Sequence, residues 1–186
     1  MFYEIFAFLL TTLVGVLVSA CLLRVYLQAQ RFSFANPLGQ MVISLTDWLV
    51  RPVRQRVRAS GRWDWVTLML AYLLLLAQFI LLALAARATH LLAIAPLQAL
   101  FGLLAAALWL ALIVLLVGVA LSWLMPGHWL HELCMRLCLP LLDPVRRMLP
   151  ATGAIDFAPL IASLVLYVLL MILRRIEAQL LMSALG

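Results

Sequence analysis

The chain has 186 residues, 68% of them hydrophobic and 11% charged, and its mean hydropathy is +1.18. A soluble domain of this size cannot hide so much apolar surface, so the composition excludes that class and points to a protein that crosses a membrane several times. The formal net charge is +6 and all 13 basic residues are Arg, which beside membrane spans favours anionic lipid over nucleic acid as the counterpart.

Residues 5–23 are apolar and long enough to cross a bilayer as a first span. The run ends in Val18-Ser19-Ala20-Cys21, which looks like a lipoprotein cleavage box. Glu4 precedes it, no basic residue does, and Arg24 follows, so the expectation is a retained helix. Thr12, Gly15 and Ser19 share one side of this span and predict a groove where another helix packs closely. The chain is then expected to leave the membrane from Arg24 onward.

Asn36-Pro37 opens an amphipathic helix predicted over 37–58. Apolar residues at 38, 41, 42, 45, 48, 49, 52, 53 and 57 follow the three-four spacing of one helical stripe, and Arg51, Arg54 and Arg58 lie opposite. A helix of that kind lies in the plane of the membrane surface. Pro52 predicts a kink or a division into two pieces. Ser60-Gly61 is read as a turn, and Asp64 as the N-cap of a second span over 66–86, with Trp63 and Trp65 at the interface.

A third span is expected over 96–124 and a second amphipathic helix over 128–149, ended by Pro150 and Gly153. Asp156 is expected to cap a fourth span over 157–173, stopped by Arg174 and Arg175, with the tail as a short interfacial helix.

The amphipathic segments are related to one another. Shifting the sequence by 92 positions places Leu38 on Leu130, Met41 on Leu133, Leu45 on Leu137 and Val53 on Val145. It also places Pro52 on Pro144, Arg54 on Arg146, Gly61 on Gly153 and Asp64 on Asp156, without a gap. The chain therefore reads as a tandem duplication, 1–95 and 96–186. The predicted fold class is an all-α membrane protein with four transmembrane helices, arranged as two parallel repeats of span, amphipathic helix and span. Residues 24–64 hold seven Arg and 125–156 hold three, against Arg87, Arg174 and Arg175 on the other side. That imbalance predicts cytoplasmic amphipathic segments and periplasmic termini, and hence a parallel rather than an inverted repeat.

These motifs resemble the YggT family of bacterial inner-membrane proteins, also called YlmG-like, which has relatives in chloroplasts. The resemblance covers nearly the whole chain. It rests on Asn36-Pro37-Leu38, Leu45-Thr46-Asp47, Arg51-Pro52-Val53-Arg54 and Gly61-Arg62-Trp63-Asp64 in the first half. In the second half it rests on Leu121-Ser122-Trp123, on Pro144 to Pro150 and on Gly153 to Phe157. One departure is Arg58, where the second copy has Pro150 and family members usually have Pro in both. The resemblance implies a multi-pass protein of the bacterial inner membrane without an established biochemical activity. It further implies links to cell division and envelope shape, to nucleoid distribution in plastids and to osmotic or ion stress, and in one plastid branch to cytochrome maturation.

For chemistry the residues offer little. No Ser-His-acid set, phosphate-binding Gly loop or paired carboxylates occur, so no enzyme, cofactor or metal is expected. His128, His131, Cys134 and Cys138 have helical ligand spacing, yet their counterparts in the first copy are Asn36, Gly39, Val42 and Thr46, which favours an apolar stripe. Arg51, Arg54, Arg58, Arg146 and Arg147 are the candidate lipid- or partner-binding residues. The competing reading pairs Arg54 with Asp64 and Arg146 with Asp156, tying each surface helix to the next span. Pro52, Gly61, Asp64, Pro144, Gly153 and Asp156 are the repeated structural motif.

The spans hold no ionisable residue away from their ends, and Gln78 is expected to bond a neighbouring helix. The favoured function is a non-enzymatic inner-membrane scaffold that binds anionic lipid or partner proteins of division or the envelope. The alternative is an oligomeric ion pathway for osmotic stress, with Gly15, Ser19, Gly102 and Gly118 on the packing or pore-facing helices. An assembly factor for a membrane cofactor protein ranks last, since only the plastid relatives imply it.

Overall fold

A computed structural model describes residues 1–32, 34–55, 64–125, 128–148 and 156–185. Among these residues there is no strand, and six α-helices follow in order: α1 Phe2–Ala29, α2 Pro37–Arg54, α3 Trp65–Ala85, α4 Ala95–Leu124, α5 Trp129–Met148 and α6 Ala158–Leu185. A 3-10 helix, Thr89–Ala93, joins α3 to α4. Four of the helices, α1, α3, α4 and α6, are long and apolar enough to cross a membrane. The all-α, four-span architecture is therefore as expected. The expected turn at Ser60-Gly61 lies outside the described residues, as do Arg58, Trp63, Pro150 and Gly153.

Two compact units form, Met1–Ala107 with Ile176–Gly186, and Leu108–Arg175. In the first unit α1 packs against α3 and α2. Its buried side is Val14, Val18, Cys21, Leu22 and Val25, at helical spacing. In the second unit Leu112 and Leu115 of α4, Cys138 and Leu142 of α5, and Ala158, Ala162 and Leu166 of α6 make one apolar core.

Four features of the helices add to or differ from these expectations. First, α1 continues past Arg24 to Ala29. Nothing between 24 and 29 breaks a helix, and Arg24 is buried with its guanidinium satisfied by α2. The helix instead stops at Arg31, whose φ of 56° lets Phe32 N–H reach back to the Leu27 carbonyl at 3.0 Å. Second, the tail after Arg174 and Arg175 is not a separate short helix, since α6 runs unbroken to Leu185. The residues that follow are strong helix formers with no Gly or Pro among them before Gly186.

Third, at the groove expected from Thr12, Gly15 and Ser19, Gly15 faces open space among the described residues. A Cβ added at Gly15 would meet nothing within 4 Å. Fourth, Pro52 does not divide α2, because it falls in the last turn of an unbroken helix ending at Arg54. There its missing N–H costs only one late hydrogen bond.

The apolar stripe of α2 is also split between two surfaces. Val42, Thr46 and Val50 face the interior, whereas Met41, Trp48 and Pro52 are exposed. A third side carries Gln40, Ser44, Arg51 and Gln55, all exposed. The start of α2 is fixed locally. Asn36 accepts the Gly39 N–H at 2.6 Å, and Pro37 follows the cap. Only Gly fits at 39, since a Cβ there would lie 2.8 Å from both Asn36 Oδ1 and the Phe34 Cα.

Candidate functional site

The repeated Arg and Asp meet in both units. In the first, the Arg54 guanidinium donates through Nη2 to Asp64 Oδ2 and, at 2.9 Å, to Gln28 Oε1 of α1. Asp64 Oδ1 accepts the Thr67 N–H at 3.2 Å and Oδ2 accepts the Thr67 hydroxyl. The carboxylate thus caps α3 and holds the end of α2 at once. Asp64 and Thr67 are both fully buried.

A second charged link lies beside it. Arg24 Nη1 donates to Thr46 Oγ1 at 2.6 Å and to Asp47 Oδ1 at 2.7 Å. Thr46 in turn donates to the Val42 carbonyl at 2.7 Å. Arg24 and Gln28 are one helical turn apart on α1, so one face of that helix grips α2 at two levels. A buried guanidinium is tolerable only when bonded in this way.

In the second unit the pair has the same partners and different surroundings. Arg146 donates from Nε at 3.1 Å and from Nη2 at 2.6 Å to the same oxygen, Asp156 Oδ2. Asp156 Oδ1 accepts the Ala158 N–H at 2.9 Å, the cap of α6. The Asp156 side chain is 47% exposed, against none of Asp64. Partial burial pushes the Asp156 carboxyl up, but the Ala158 N–H and the Arg146 guanidinium outweigh it and hold the group below its ordinary value.

The 92-residue register explains the contrast. Arg24, Gln28, Thr46, Asp47 and Thr67 correspond to Leu116, Ala120, Cys138, Leu139 and Pro159. Each polar group bonded to the first pair, or forming the link beside it, has an apolar counterpart in the second unit. Sequence reading did not single out Arg24, Gln28 or Thr67. The signal was available in those mismatched positions, and in an Arg and a Gln four residues apart at the end of an apolar run.

Of the candidate binding residues, Arg54 and Arg146 are held in ion pairs, while Arg51 and Arg147 are exposed on α2 and α5. Pro52 and Pro144 lie inside those helices. Cys134 and Cys138 are buried, and burial pushes both thiols up, that of Cys138 to about 11. The His131 ring faces the Gly118 carbonyl at 3.2 Å, and His128 Nδ1 accepts the Leu130 N–H at 3.3 Å. Among the described residues no three His, Cys, Asp or Glu groups are placed to hold a metal. Gln78 is buried within α3.

A family model described as CCB3/YggT matches residues 3–85 and 97–176. YggT of Escherichia coli (strain K12) is 36% identical over 163 residues, covering 87% of this chain and 85% of the relative. A protein of Vibrio alginolyticus is 32% identical over 83% of this chain and 85% of its own length. One of Pseudomonas aeruginosa is 31% identical over 86% of this chain and 83% of its own length. No solved structure matches the chain significantly.

Proposed function

The chain belongs to the CCB3/YggT family, and we propose that it is a non-enzymatic organising protein of the bacterial inner membrane. In this reading α2 and α5 are amphipathic helices in the cytoplasmic surface of the bilayer, and both termini are periplasmic. Their basic faces associate with anionic lipid or with acidic partner proteins of division, envelope or osmotic homeostasis.

One observation carries the reading, the three-sided character of α2. One side is packed on the protein at Val42, Thr46 and Val50. A second exposes Met41, Trp48 and Pro52, which suit the acyl boundary. A third exposes Arg51 among neutral polar groups, at headgroup level. The Arg–Asp ties hold these helices to their spans, and a fixed platform is what a docking surface needs.

The test is charge reversal at Arg51 and Arg147, which leaves both buried and paired groups alone. The double Arg51→Glu/Arg147→Glu variant should insert normally and lose its enrichment of phosphatidylglycerol in nanodiscs, or its co-purified acidic partner. Unchanged association would refute the reading.

The ion-pathway alternative draws on Gly15, exposed on α1 where a neighbouring copy can approach closely. It predicts protein-dependent flux through liposomes.

A further inference from the structure

The positions that are sealed in the first unit are open in the second. In the first unit Leu27, Asp64, Thr67 and Ala71 are 1% exposed or less. Their counterparts 92 positions on, Val119, Asp156, Pro159 and Ser163, line a cleft of about 910 Å³ in the second unit. That volume is at the upper end of ordinary ligand sites. The opening has a local cause. The counterpart of Arg24, which clasps α2, is Leu116, and Leu116 is exposed in the cleft wall. The counterpart of Thr67, whose hydroxyl draws Asp64 inward, is Pro159, which has no donor.

The cleft lining combines a charged pair with an apolar part. The pair is Arg146 and Asp156, beside the cap of α6. Leu116, Val119 and Leu160 form an apolar part. On α4 the wall runs from Leu116 to Trp123 at the end of a membrane-spanning helix, about 10 Å at roughly 1.5 Å per residue. On α6 it starts at the helix cap. A charged pair beside an apolar wall at the edge of a bilayer fits an amphiphile, head outward and chain inward.

The charges choose the head. Arg146 and Asp156 lie side by side and are both half-exposed, so the cleft offers one positive and one negative group together. A purely anionic headgroup meets the Asp156 carboxylate as well as the guanidinium. A zwitterion can satisfy both, its phosphate accepting from Arg146 and its ammonium donating to Asp156. Choline has no N–H to donate, so a primary amine is favoured. We propose that this cleft binds one zwitterionic aminophospholipid of the ethanolamine type. Its phosphate sits on Arg146, its ammonium on Asp156, and its upper acyl carbons lie along Leu116, Val119 and Leu160.

This site goes beyond the surface association proposed above and has the opposite selectivity. Its failure would leave that reading intact, because Arg51 and Arg147 do not line the cleft.

The full chain is placed in nanodiscs holding equal amounts of phosphatidylethanolamine, phosphatidylglycerol and phosphatidylcholine, and the lipid retained after mild detergent release is quantified by native mass spectrometry. One phosphatidylethanolamine per chain should be retained, about tenfold over the other two. Asp156→Asn, which keeps a capping side chain, should abolish that preference and shift retention toward phosphatidylglycerol. Leu160→Trp, which fills the cleft from an exposed position, should abolish retention itself. Headgroup-independent retention, an unaltered preference in Asp156→Asn, or a lipid-free dimer in place of the lipid adduct would each overturn the proposal. If Asp156→Asn fails to fold, Leu160→Trp and the wild-type headgroup ranking decide the matter.

Discussion

Asp64 is sealed from solvent while its carboxylate accepts from the Arg54 guanidinium ten residues earlier, closing the end of α2 onto the start of α3. The same two residue types meet at Arg146 and Asp156 in the open. One duplicated ion pair therefore works at two very different depths, and its energetic weight follows the depth.

Asp64→Ala should be far more damaging than Asp156→Ala. Removing one partner of a buried pair leaves a stranded charge and costs about 3–5 kcal/mol. The same change at Asp156 removes a cap and a solvent-screened pair, about 1 kcal/mol. Thermal unfolding of the two variants in detergent checks this. Equal losses would contradict the depth argument.

Arg24→Leu puts in the first repeat the residue type that the second has at Leu116. It leaves Asp47 without its guanidinium and removes the tie between α1 and α2, while Thr46 keeps its bond to the Val42 carbonyl. A bond to a charged group contributes about 1.5–3 kcal/mol, so amide exchange in α2 should accelerate about tenfold or more. Exchange in α5 should not change, and hydrogen-exchange mass spectrometry resolves the two segments.

The pH response follows from Asp156. Its native carboxyl is held below the ordinary value, so it binds protons less readily folded than unfolded. Its contribution is complete above the ordinary carboxylate range and disappears as pH falls through the native value. Melting temperature should therefore fall on acidification below about pH 4. Asp156→Asn should show a shallower fall there and no difference in slope near neutrality.

Much of this architecture was legible. Length, apolar runs and the 92-residue register placed four spans and two intervening helices, because those signals are summed over many residues. The Asp64 and Asp156 caps were legible too, since an Asp ahead of an uncharged run has one obvious use. Burial of a charge was not. Arg24 reads as a flanking positive residue, and only the structure brings it to Thr46 and Asp47, more than twenty positions away. The facing of α2 was hidden for a related reason. Periodicity reports an apolar sector, and it does not say which part of that sector meets protein and which part stays exposed.

Gly15 and Gly118 separate these surfaces experimentally. Gly15→Ala meets open space, and Ala is the better helix former by about 1 kcal/mol, so stability should be unchanged or higher. A Cβ at Gly118 would lie 3.2 Å from the Cβ of Cys134, so Gly118→Val should destabilise the second unit and expose Cys134 to maleimide. In the wild type Cys134 and Cys138 should resist labelling near neutral pH, being buried with raised thiol values.

As proposed above, this protein organises the membrane without conducting through it. The most direct test is ion flux into liposomes containing the purified, folded chain, beside protein-free vesicles. No flux above the control is expected, for wild type and for Asp156→Ala alike. Reproducible, protein-dependent flux would contradict it and assign the chain to the channel class.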